Sequence, residues 1–325
     1  MEYMPNFALH RPKAVEEAVK LRAATPGALY LAGGTDMIVN VRRGIEQPAA
    51  LIDLGAIVAM KTIRDEEDAL VVGAGVTLDA LAQHAAVRTG WRAIAEAAEA
   101  VAGPTHQKYG TVGGNLCLDT RCLYYNQSEW WRKSNAWCLK ERGEVCHVAP
   151  GGKRCFAAFS GDVAPAMLVF GAEAELVGPD GARRIPLGEL YRDDGMQHLA
   201  FKPAELLVAV RLPKTNAGAA SGYEKARIRG SIDFPLAGVA VRLKQSGGKV
   251  DDLRIALTGV NPYPHVVSGL DAWKGKVLDD AALDAIRETV RTQAKPMKTT
   301  HVKPWYRRRV IGALARRVVA RLAQQ

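Results

Sequence analysis

The chain has 325 residues, a length that suits two or three domains, with 48% hydrophobic and 24% charged residues. It holds no apolar run of about 18 residues, and its start, Met1-Glu2-Tyr3-Met4-Pro5, lacks the basic, apolar, small-residue order of a secretion signal. The expectation is a cytoplasmic protein without a membrane span. In that reducing compartment five clustered cysteines point to metal before disulfides. The net charge of +10 is uneven, since residues 289–325 contain no Asp or Glu.

Residues 7–10 read as a strand. A helix follows Pro12, with Val15, Ala18, Val19 and Leu21 on its apolar face, and Pro26-Gly27 breaks it. Residues 28–32 form a strand that runs into Gly33-Gly34-Thr35-Asp36. A strand ending in Gly-Gly lets backbone N–H groups form a concavity suited to phosphate oxygens. The alternative is an ordinary Gly-Gly turn. Residues 51–54 form a strand that closes a small first lobe. Residues 70–78 look like a strand–turn–helix nucleotide fingerprint, but Leu78 fills the third glycine position. A tight turn into a helix over 78–86 is therefore expected there. An alanine-rich helix over 91–102 stops at Gly103-Pro104, and Val112 leads into a second loop, Gly113-Gly114-Asn115.

Further on, residues 166–170 read as a helical turn. Residues 174–178 and 184–186 form a hairpin around Pro179-Asp180-Gly181, and 205–212 a strand. The Asn-, Gly- and Ala-rich stretch 214–221 is the expected domain boundary. Strands near 237–243 and 253–258 precede helices near 281–292 and 304–323. In the last helix Val310, Ile311, Leu314, Val318 and Leu322 recur at three- to four-residue spacing, an apolar face for its own domain or for a partner. Its Lys and Arg residues make either a solvated face or a surface for nucleic acid, membrane or an acidic protein.

All five cysteines, Cys117, Cys122, Cys138, Cys146 and Cys155, fall between the second glycine loop and Ser160-Gly161-Asp162-Val163-Ala164-Pro165. A structureless insert of roughly 40 residues exceeds the usual loop limit of about 12–15, so something must hold it. Four thiolates on one inorganic centre would do so, since a structural zinc supplies on the order of 10 kcal/mol while loop closure costs a few. Tetrahedral thiolates suit zinc or iron–sulfur equally, and His147 beside Cys146 keeps a Cys3His zinc site open. Tyr124, Tyr125, Trp130, Trp131 and Trp137 read as packing that keeps water from such a centre, with an electron path as the alternative.

The two glycine loops resemble those of the FAD subunit of the xanthine oxidase / carbon monoxide dehydrogenase family. The resemblance runs on through the Asp162 segment, Glu205-Leu206-Leu207, Tyr223-Glu224-Lys225-Ala226-Arg227 and Gly259-Val260-Asn261-Pro262. It implies an α+β chain: a two-lobed FAD-binding fold of the p-cresol methylhydroxylase / vanillyl-alcohol oxidase type, then an α+β carbon monoxide dehydrogenase flavoprotein C-terminal domain. The implied boundaries are 1–216, with lobes about 1–56 and 57–216, and 217–325. The pyrophosphate of FAD needs backbone N–H donors, which Gly33, Gly34, Thr35 and Asp36 in the first loop and Gly113, Gly114 and Asn115 in the second are placed to supply, while Thr111 offers a hydroxyl; by the same resemblance the first loop extends back to Tyr30, Leu31 and Ala32, and Met37 and Val112 join the cofactor-binding set. Asp162 would hold ribose or adenine-side hydroxyls, Leu207 the adenine-side backbone, and Lys225 the flavin ring, while Val101 would line the pocket. The alternatives are a helix cap for Asp162, a surface lysine for Lys225 and a core position for Val101.

The insertion, about 118–159, resembles that of the flavoprotein subunit of 4-hydroxybenzoyl-CoA reductases, where the extra loop holds a 4Fe-4S cluster. This implies Cys122, Cys138, Cys146 and Cys155 as ligands, with Cys117 a small buried thiol on the flavin loop. The gaps of 15, 7 and 8 residues do not match ferredoxin runs. No catalytic residue is expected on the chain. The implied partners are a molybdenum-cofactor subunit and a 2Fe-2S subunit, in a heterotrimer that dimerises, with ferredoxin as donor and no nucleic acid.

Overall fold

The computed structural model describes residues 4–325; residues 1–3, which carry part of the secretion-signal reading, lie outside them. The first lobe is β1 (Ala8–His10), α1 (Val15–Ala24), β2 (Ala28–Leu31), α2 (Met37–Arg42) and β3 (Ala50–Asp53). Its three strands are parallel in the order β1-β3-β2. On α1, Ala18 and Val19 are buried, while Val15 and Leu21 pack at the margin of the same core.

The second lobe begins with β4 (Ile63–Asp65) and the wholly buried β5 (Ala69–Gly73). Five helices follow: α3 (Leu78–Gln83), α4 (Ala85–Gly90), α5 (Arg92–Ala100), α6 (Pro104–Tyr109) and α7 (Val112–Leu116). The single helix expected over 78–86 is thus broken at His84, whose extended backbone ends α3 and starts α4. Gly103-Pro104 stops α5 as expected, and Pro104 then opens α6 at the position proline favours. The second glycine loop is itself helical: Thr111 caps α7 by accepting from the Gly114 N–H at 3.0 Å. Within the cysteine segment lies α8 (Glu129–Ser134), and beyond it α9 (Val163–Leu168). Strands β6 (Glu173–Gly178), β7 (Gly181–Pro186) and β8 (Leu206–Pro213) complete an antiparallel sheet of order β4-β5-β8-β6-β7. One core joins both lobes, from Ile52 through Val72 and Ile94 to Phe170.

The C-terminal part has its own core. Strands β9 (Ala220–Ala226), β10 (Ala237–Ser246), β11 (Lys249–Thr258) and β12 (His265–Val266) form an antiparallel sheet. Helices α10 (Asp280–Gln293) and α11 (Pro304–Ala323) cover it. The β10–β11 hairpin turns on Gly247 and Gly248, at φ 57° and 74°, as a two-residue turn with both central residues left-handed requires.

The α11 alternatives resolve toward self-docking: Ile311, Leu314, Val318 and Leu322 are buried in this core and Val310 packs beside them. Several of its cations are spent within the chain. Arg316 pairs with Asp280 and Asp284, and Arg317 and Arg321 pair with Glu224. Among the described residues no helix is long and apolar enough to cross a membrane.

Candidate functional site

Between the lobes and the C-terminal part lies a cavity of about 1250 Å³. That exceeds the roughly 300–1,000 Å³ of ordinary small-ligand pockets and suits a dinucleotide. Tyr30, Ala32, Gly33, Gly34, Thr35, Asp36, Met37, Val101, Thr111, Gly113, Gly114, Asn115, Asp162 and Leu207 line it. Leu31, Val112 and Lys225 are not among the lining residues. Val112 is fully buried in the core below the wall. Tyr30 donates its hydroxyl to the Ala204 carbonyl at 2.9 Å, and burial pushes its pKa up to about 12.

The two glycine stretches differ in what their backbones can still do. Among the described residues the N–H groups of Gly33, Gly34, Thr35 and Asp36 have no acceptor. A Cβ on Gly33 would lie 1.8 Å from the Tyr109 carbonyl oxygen, and Gly34 is left-handed at φ 72°. Only glycine brings this loop so close to the end of α6. Unspent N–H groups in a concave wall are what a phosphate anion needs. In the second stretch the donors are spent, a correction to the expected donor set. Val112 N–H donates to Val76, Gly113 to Ala74, Gly114 to Thr111 Oγ1 and Asn115 to the Thr111 carbonyl. The second stretch therefore supplies a close-packed wall, and the Asn115 side chain caps α9 by accepting from Val163 N–H at 2.9 Å.

Asp162 stands at the start of α9 without capping it. Its oxygens accept from Tyr223 Oη at 2.6 Å and Lys225 Nζ at 3.1 Å. Burial raises the Asp162 pKa, and Lys225 offsets part of the rise. Lys225 is therefore no surface lysine: it is 4% exposed and fixes Asp162 from behind the cavity wall. Residues that the sequence reading did not single out also line the cavity, among them Tyr109, Arg121 and Phe234. Arg121 pairs with Asp36 at 2.7 Å and lies 4.3 Å from the Phe234 ring centre. Nothing in its spacing marks it, because it belongs to the aperiodic insertion.

Cys117 lines the flavin cavity, and burial raises its pKa to about 12. Cys122, Cys138, Cys146 and Cys155 are buried and unbridged. Cys122, Cys138 and Cys155 share a small core with Ile45, Tyr125 and Ala157. Burial raises the Cys122 thiol to about 11 and Cys155 to about 12, with the Cys146 charge adding to both. The Cys155 sulfur accepts from Ala157 N–H at 3.4 Å, and nearby backbone N–H groups offset part of the rise at Cys122 and Cys138. Yet among the described residues no group of three or more His, Cys, Asp or Glu is arranged to hold a metal ion. The expected ligand quartet is thus seen as four buried, unbridged thiols without a metal-binding arrangement among the described residues. His147 directs Nε2 at the Trp137 carbonyl and stacks near Tyr124. Trp130, expected to shield the site, is 75% exposed.

The fold and the cavity define a two-lobed dinucleotide-binding protein. Residues 5–215 match the FAD binding domain in molybdopterin dehydrogenase, and residues 221–322 match the CO dehydrogenase flavoprotein C-terminal domain. The chain belongs to this family of FAD-binding subunits. It is 30% identical to the aldehyde oxidoreductase FAD-binding subunit PaoB of Escherichia coli, over 96% of this chain and 98% of that one. It is also 30% identical to the carbon monoxide dehydrogenase medium chain of Afipia carboxidovorans, over 97% and 96%. The crystal structure of the Cu,Mo-CO dehydrogenase in its cyanide-inactivated form superimposes with a TM-score of 0.81 at 28% identity, covering 99% of each chain. The donors left open at residues 33–36 and the glycine cradle fit FAD.

Proposed function

We propose that this chain is the electron-transferring flavoprotein subunit of a molybdenum-containing 4-hydroxybenzoyl-CoA reductase. Its FAD-binding part spans 1–216 and its C-terminal domain 217–325. Residues 33–36 hold the pyrophosphate, Asp162 orients sugar hydroxyls, and Leu207 and Val101 line the adenine and flavin ends. Lys225 acts through Asp162, whose carboxylate it fixes. Cys122, Cys138, Cys146 and Cys155 hold a 4Fe-4S cluster. Bound FAD supplies one- and two-electron chemistry and such a cluster supplies single electrons. The chain's own task is to position these groups, exclude water and dock between a ferredoxin donor and the 2Fe-2S and molybdenum subunits.

The observation that carries the finer reading is four buried, unbridged thiols in one insertion, with the Cys155 sulfur held by Ala157 N–H at 3.4 Å. Such bonds favour thiolate over thiol and are a means by which proteins set cluster potentials. The comparisons support the coarser reading, a medium FAD subunit of a molybdenum enzyme, and a second reading has electrons leave outward from an oxidised substrate. The test is turnover by the co-expressed complex. Reduced ferredoxin should drive loss of the phenolic hydroxyl from 4-hydroxybenzoyl-CoA. A complex that only oxidises substrates would establish the second reading.

A further inference from the structure

Arg121 is where the cysteine insertion touches the flavin cavity. Its backbone N–H and carbonyl both bond to Ala158, at 2.8 Å each, so the start of the insertion is pinned to its end. The next residue, Cys122, lies in the cysteine core, while Arg121 itself lines the cavity. Asp36 Oδ1 holds Nη1 at 2.7 Å, and the Phe234 ring from the C-terminal part covers the guanidinium at 4.3 Å. The side chain is 18% exposed. A guanidinium carries five N–H donors in a rigid fork. One bond, to Asp36, is made here, and the rest of the fork has no acceptor among the described residues. Asp36 also ends the run of open backbone donors at 33–36. A fixed cation with an unspent edge and four unspent N–H groups thus meet on one wall. Partial charges alone neutralise a doubly charged anion poorly, and a planar fork matches paired phosphate oxygens.

We propose that Arg121 is a diphosphate-binding residue of the FAD site, so that the insertion contributes directly to flavin affinity. Asp36 takes one edge of the guanidinium and leaves the other for the ligand. The assignment rests on the FAD reading above.

The test is titration of the flavin-stripped full chain with FAD and with riboflavin, which lacks phosphate. Arg121→Gln should weaken FAD roughly ten- to a hundredfold and leave riboflavin binding and cysteine-bound iron unchanged. Arg121→Lys keeps the charge and should recover most of the FAD affinity. Unchanged FAD affinity in Arg121→Gln, equal weakening of FAD and riboflavin, or equal loss in the Lys and Gln variants would overturn the assignment. Wild-type binding separates the two claims. A wild-type chain that takes up no FAD overturns the flavin reading, and this assignment with it.

Discussion

Glu46 lines the flavin cavity, and burial raises its carboxyl to about 7 from an ordinary 4.5. The charges of Asp119, Glu141 and Asp36 add to the rise, and Lys140 offsets part of it. Between those pH values the folded chain keeps a proton that the unfolded chain has lost. Stability therefore falls as pH rises from about 4.5 to about 7. Glu46→Gln should remove that slope and gain on the order of 1–3 kcal/mol at pH 8 relative to pH 4.5, read by denaturant melts of both chains. A wild-type-minus-variant difference that does not change with pH would contradict it. His198, lowered to about 4 by burial, has the opposite sign and loses stability below its ordinary 6.5, but it is common to both chains and cancels. At this scale the glycines were legible because a Gly-Gly after a strand signals close approach. What Gly33 approaches, the Tyr109 carbonyl, was not, since it arises from a helix 70-odd residues away in sequence. Arg121 is illegible because it sits in an insertion without period and its partner, Asp36, is distant in sequence.

Among the elements, α11 shows how local pattern and burial combine. Its bounds followed from Pro304 at the first turn and a regular apolar face. The cation buried in its first turn did not. Arg307 is 1% exposed and donates to the carbonyls of Leu236, Met297 and Gly259 and to Thr299 Oγ1. It therefore ties the helix to the β9–β10 connection, the turn after β11 and the segment before α11. Arg307→Met would leave these acceptors unpaired in the core. The expected cost is about 3 kcal/mol or more, measured as a lower midpoint in denaturant. A change under about 0.5 kcal/mol would show that water replaces the guanidinium there. Helix α7 reads as a loop in the sequence because two glycines outweigh one capping threonine on propensity alone, whereas hydrogen bonds from Val112 and Gly113 to Val76 and Ala74, in the turn after β5, hold its start. Strand β9 was missed because Ser221 and Gly222 dilute its pattern, though Tyr223 and the pairing with β10 hold it.

For the whole molecule, two cores and a cavity between them place the flavin site where three parts of the chain meet. Motif order along the sequence made this architecture legible, while the arrangement of the four thiols depends on a segment without period. Cys122, Cys138 and Cys155 pack with Ile45 of the first lobe, which ties the insertion to that lobe. The central claim is that one chain carries FAD and a cysteine-held iron–sulfur cluster. The most direct measurement is iron, acid-labile sulfide, zinc and FAD per chain, purified without oxygen, for the native chain and for Cys138→Ser. The account predicts one FAD with about four iron and four sulfide, and loss of iron with FAD retained in the variant. One FAD with zinc, or with no metal, would contradict it and leave a flavin subunit without a cluster.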